Sequence, residues 1–99
     1  ALGVPFAGRR LVDELIHEFS MSARDADGHL YRARAMGRRR DRTWIGWIEF
    51  APVGSGGMVR RTPRETTQPS REALLYWALG LDEVYLDGAL ERSGAPATA

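Results

Sequence analysis

The chain has no cysteine, no lysine and only two histidines among its 99 residues. Without cysteine there is neither a disulfide framework nor a thiolate zinc site. His17 and His29 alone do not make a His-rich metal centre, so no metal or cofactor is expected. No apolar run approaches the roughly 20 residues of a membrane-spanning helix. The opening "ALGVPFAGRRL" lacks the charged-then-apolar order of a secretory signal. No phosphate loop, nucleophile elbow or metal-ligand spacing is present, so no catalytic residue is assigned. These absences lead us to expect one small soluble domain, cytoplasmic and independent of membranes.

What is present is arginine. All fourteen basic residues are Arg, and the formal net charge is only +1. The balance is uneven along the chain. Residues 29–64 carry a net of +7, nine arginines against Asp41 and Glu49. Residues 81–99 carry −3, with Asp82, Glu83, Asp87 and Glu91 against Arg92. The exclusive use of Arg fits either genomic base composition or a need for planar, forked donors that match phosphate and carboxylate.

The pattern of apolar residues predicts an α+β domain over residues 1–99, with a loose arm at 1–8 and a loose tail at 93–99. Residues 9–22 are ambiguous. Leu11, Val12, Leu15, Ile16 and Phe19 fit a helical face, whereas Leu15, His17, Phe19, Met21 and Ala23 fit strand alternation. Splitting them gives a short helix at 9–15 and a strand at 16–24. "DADG" (25–28) is a turn signal. Strands are expected at 29–38 and 43–51, joined by a tip at 39–42, with a short fourth at 58–62 and irregular chain at 64–69. "SREALLYWALG" (70–80) reads as a helix between a Ser70 cap and Gly80. Residues 83–92 are open between a second helix, capped by Asp82, and a strand at Val84–Leu86. The expected architecture is a three- or four-stranded antiparallel sheet packed on one face by C-terminal helix.

Pairing Ala35 with Gly46 puts Phe19, Met21, Tyr31, Ala33, Ala35, Trp44, Ile48 and Phe50 on the core face. Leu74, Trp77, Ala78 and Leu81 would lie against it. The other face would then pair Arg32 with Glu49, Arg34 with Trp47 and Met36 with Ile45, with Glu18 beside Arg34. Arg32, Arg34, Ile45, Trp47 and Glu49 become a candidate protein-binding surface, because exposed Trp and Arg are favoured interface anchors. Arg38, Arg39, Arg40 and Arg42 at the tip, with Arg60, Arg61 and Arg64, are candidate nucleic-acid contacts. Glu65, Thr66, Thr67 and Gln68 form a polar cluster, a candidate ligand or enzyme site whose simpler reading is a polar segment before a helix.

At "TWIGWIEFAP", "TPRETTQPSREALLYWALGL" and "VYLDGALERS" the chain resembles a group of short bacterial proteins of uncharacterised function. The resemblance covers most of residues 17–92. It implies a small free-standing cytoplasmic protein and brings no activity with it. The order of three strands then a helix is similar to HicB-like antitoxin domains, which implies a protein-binding role with nucleic-acid targets. A helix over 9–22 would instead resemble double-stranded RNA-binding domains. The expected function is a non-enzymatic module that binds a protein partner or a second copy of itself. The alternatives are RNA or DNA binding through the arginine tip, and a small enzyme or ligand-binding protein using residues 64–72.

Overall fold

The computed structural model describes residues 12–54 and 58–94. Five antiparallel strands precede two helices: β1 (Glu14–Arg24), β2 (Leu30–Arg40), β3 (Thr43–Pro52), β4 (Arg60–Arg61), β5 (Thr66–Gln68), α1 (Arg71–Leu79) and α2 (Glu83–Arg92). β1, β2 and β3 pair in chain order, and β4 and β5 share the far edge of β3. Both helices belong to one side of the sheet, so the α+β expectation holds. The expected arm at 1–8 lies outside the described residues.

Over residues 14–22 the ambiguity resolves as strand, with a physical cause. Residues 9–11 lie outside the described residues, but Glu14 and Leu15 are in β1, not in a helix. The condition for the likeness to double-stranded RNA-binding domains therefore fails. β1 is irregular twice, between Leu15 and His17 and again between Glu18 and Ser22. Each bulge puts extra residues on β1 and shifts its phase. The buried positions become Ile16, Phe19 and Ala23. Those gaps of three and four residues are helical in sequence, although the backbone is extended.

β2 and β3 pair as Ala33–Phe50, Ala35–Ile48, Gly37–Gly46 and Arg39–Trp44. This is two residues away from the expected register, which keeps every side chain on its expected face. The shift arises at the tip. Arg40 pairs with Thr43, so the expected four-residue tip shrinks to Asp41 and Arg42. Asp41 takes φ 56°, a left-handed conformation that Asp adopts more readily than most residues. Arg39 Nε donates to the Asp41 carbonyl at 3.2 Å, and Thr43 Oγ1 donates to that of Arg40 at 3.0 Å.

The expected fourth strand at 58–62 contracts to Arg60–Arg61, and the expected irregular segment at 64–69 contains β5. Thr62 bridges the two. Its N–H donates to the Ile48 carbonyl, and its buried Oγ1 accepts the Ile48 N–H, both at 3.0 Å. Glu65 N–H then donates to the Gly46 carbonyl at 2.8 Å. The edge of β3 is thereby paired almost continuously, which buried backbone groups require.

α1 starts at Ser70, whose Oγ accepts the Ala73 N–H at 3.1 Å. α2 starts at Asp82, whose carboxylate accepts the Tyr85 N–H at 2.9 Å. Leu74 and Ala78 of α1 are buried with Leu86, Ala89 and Leu90 of α2 over Phe19, Tyr31, Ala33, Ala35, Ile48 and Phe50. Met21, Trp44, Trp77 and Leu81 pack at the margin, half-buried. Leu74 seats over the paired glycines. A methyl group on Gly46 would come within 2.5 Å of Leu74 Cδ1, and one on Gly37 closer still to Cδ2. The sheet is thinned to a backbone-only notch where α1 crosses it. Past α2, Ser93 is buried, and Gly94 exchanges both backbone hydrogen bonds with Arg61. Residues 93–94 therefore correct the expectation of a loose tail.

Candidate nucleic-acid interface

The second face of the sheet follows from the same register. Arg32, Arg34, Met36, Arg38 and Arg40 alternate along β2 against Ala51, Glu49, Trp47, Ile45 and Thr43 of β3. β1 adds Glu18 and Arg24, and β4 adds Arg61 opposite Glu49. Among the described residues no helix or strand packs on this face. It is basic, with arginines on three strands against Glu18, Glu49 and Asp13, which pairs with Arg38.

Trp47 lies at its centre but is not exposed. Only 2% of its surface reaches solvent, and Ile45 keeps 7%. This overturns the expectation of an exposed aromatic anchor. Among the described residues, two arginines lie over the ring. The Arg61 guanidinium carbon sits 4.4 Å from the indole centroid, and that of Arg38 sits 5.4 Å away. The guanidinium groups themselves lie over the indole, as cation–π contacts. Arg38 Nε also lies 3.2 Å from Asp13 Oδ1, as an ion pair without hydrogen-bond alignment. The indole N–H donates to Glu49 at 3.4 Å, and Glu49 faces Arg34 at 3.6 Å. The expected Arg32–Glu49 and Arg34–Trp47 pairs are replaced by Arg34–Glu49 and Met36–Trp47.

The arginines proposed for nucleic acid therefore divide. Arg38 and Arg61 are held over Trp47. Arg60 is on the helix side, 5.7 Å from the Tyr31 ring centroid, and donates to the Ser93 carbonyl at 3.1 Å. Arg39 is tied to its own turn. The side chains of Arg32, Arg40, Arg42 and Arg64 are exposed, or nearly so, and have no ion-pair or hydrogen-bond partner among the described residues. Arg24, which sequence reasoning missed, joins the open face at the far end of β1, opposite Leu30.

The polar segment does not converge on one point. Thr67 pairs with Ile45 and is exposed. Gln68 Nε2 donates to Thr66 Oγ1 at 2.7 Å. Glu65 turns the other way, toward α2, with its side chain 8% exposed. It accepts from the Tyr85 hydroxyl at 2.5 Å and from Arg92 at 2.7 Å. Burial pushes the Glu65 carboxyl up, but hydrogen bonds from Arg92, Tyr85 and Thr62 and the Arg92 charge outweigh it, and the group sits below its ordinary value. Burial and the Glu65 carboxylate push the Tyr85 hydroxyl up to about 12. Both Tyr85 and Arg92 were missed as Glu65 partners. Their spacing of seven residues puts them on one helical face, a signal legible only once residues 83–92 are read as helix. This arrangement is a satisfied tie between the β4–β5 connection and α2.

The β1–β2 turn brings ligand-type atoms of Asp25, Asp27 and His29 within 4.8 Å of one another. The Asp25 carboxylate accepts the His29 and Asp27 backbone N–H groups at 2.8 and 3.0 Å, which accounts for the cluster as turn chemistry. No described helix is long and apolar enough to cross a membrane. No family model, curated protein or solved structure compared with the chain matches it.

Proposed function

We propose that the chain is a non-enzymatic binding module whose open sheet face engages a polyanion, with nucleic acid as the ligand. The observation that carries this reading is the face that no described helix or strand covers, on which Arg32 and Arg40 have no described partner and stand beside Arg34, Arg38 and Arg61. Phosphate contacts by such side chains release counterions, so binding weakens steeply with salt. The test is fluorescence anisotropy of labelled RNA and DNA across a salt series. Binding at low salt that falls log-linearly with salt, and is lost in the Arg32→Glu/Arg40→Glu double variant, is the expected result. No binding of either nucleic acid at low salt sinks the reading.

A protein partner, including a second copy, is the other reading. Asp82, Glu83, Asp87 and Glu91 are exposed on or beside α2, so the helix side complements the basic face in charge. Burial of Trp47 and Ile45 leaves this reading with a polar contact set of Arg32, Arg34 and Glu49. Sedimentation at increasing concentration and low salt tests self-association directly. A monomer throughout removes it.

A further inference from the structure

We infer that the ligand of this face is a single-stranded nucleic acid, with a base laid on the outer surface of the Arg61 guanidinium. The inference rests on the polyanion reading above.

Three features distinguish a single strand from a duplex. The first is width. β1, β2, β3 and the β4/β5 edge, at about 4.8 Å per step, span roughly 14 Å. That is wider than the about 12 Å major groove, which admits one helix or a two-stranded ribbon. The β2–β3 ribbon projects beyond its neighbours only from Arg38 to Thr43, since β1 pairs up to Gly37 and β5 up to Trp44. The face can therefore be covered by unpaired bases but cannot enter a groove.

The second feature is the stack at its centre. Nucleic-acid platforms usually offer aromatic rings or Arg planes to splayed bases. Here the ring is already covered, and among the described residues the layer over Trp47 is guanidinium. Arg61 is fixed from below by the indole. Its backbone is held on one edge by Glu49 and on the other by Gly94. A planar cation restrained in this way loses little freedom when a base settles on it.

The third feature is the row of arginines beside the stack, in which Arg34 and Arg38 are paired and Arg32 and Arg40 have no partner among the described residues. Alternate residues of a strand are about 6.7 Å apart, so Arg32, Arg34, Arg38 and Arg40 track along β2 at intervals suited to a backbone running over the sheet. Arg32 and Arg40 at its two ends supply phosphate contacts, while Arg61 and Arg38 supply the stacking surface.

The experiment compares oligouridine and oligodeoxythymidine with their complementary duplexes, and with heparin, at one fixed low salt concentration. Either single strand should bind about tenfold or more tighter than the duplex, the scale of one stacked base. Arg61→Lys keeps the charge and removes the plane. It should abolish this preference while leaving heparin binding nearly unchanged. Arg38→Lys provides the same comparison if Arg61→Lys does not fold. Equal affinity for single strand and duplex, or a preference that survives in the lysine variants, overturns the inference and leaves the polyanion reading intact. Absence of binding to every probe, heparin included, overturns the polyanion reading itself.

Discussion

The two faces of the sheet bury large side chains by opposite means. On the helix side, β3 presents Ile48 and Phe50, β2 and β3 leave a notch of Ala33, Ala35, Gly37 and Gly46, and Leu74, Leu86 and Leu90 of the helices pack into it from above. On the open side, the sheet itself supplies the bulk in Trp47 and Ile45, and flexible arginines cover it. The first face requires shape, because a rigid helix must fit a rigid notch. The second requires only length and a charged end. One β-strand pattern, "RARAMGRR", carries both strategies on alternate residues.

The sharpest way to break this contrast is at the notch. Leu74→Ala removes the side chain that fills it, and should cost about 2–5 kcal/mol of unfolding free energy in denaturant titration. Trp47→Ala should cost less than Leu74→Ala, about 3 kcal/mol at the bottom of the range for a buried Trp, because the arginine cover can settle into the space and the helix face cannot. Equal or reversed costs would mean that the open face is as rigid as the covered one.

Glu65→Gln comes next, at about 1–2 kcal/mol, since it weakens a buried charge-assisted tie whose Arg92 partner remains 49% exposed. The same tie sets pH limits. The folded Glu65 carboxyl lies below its ordinary 4.5, so its contribution is present above that pH and disappears as pH falls through the lowered value. Tyr85 is raised, so its contribution is complete below pH 10.0 and fades as pH rises toward about 12. Thermal unfolding at both extremes, with Glu65→Gln and Tyr85→Phe for comparison, checks the two signs. The smallest effect belongs to Arg34→Ala, whose half-exposed 3.6 Å contact with Glu49 should contribute under about 1 kcal/mol. A double-mutant cycle with Glu49→Ala measures it.

Much of the sheet was legible because alternation survives a register error of two. Ala33, Ala35, Ile48 and Phe50 are on the covered face under either register. The register itself was not legible. It depends on the turn, and nothing in "RRRDRT" announces that Asp41 will take a left-handed conformation and shorten the tip. The state of Trp47 was hidden for a related reason. Its cover includes Arg61, from the short strand expected at 58–62, whose pairing with Glu49 nothing in the pattern announces. β1 misled in the opposite direction, since its bulges impose helical spacing on extended chain. α1 was announced by Ser70, whose capping chemistry is local, whereas Asp82 offered α2 only as one of two readings of residues 83–92, and the structure selects the helix.

Those bulges have a consequence for the molecule among its own copies. Among the described residues β1 is an outer strand of the sheet, and its eleven residues run from Glu14 to Arg24. A flat strand of that length is a template on which further chains can zip up edge to edge. Two irregularities within it break the even row of hydrogen-bonding groups that such growth needs. The feature that obscured the strand in the sequence thus also blunts it as a seed for polymerisation.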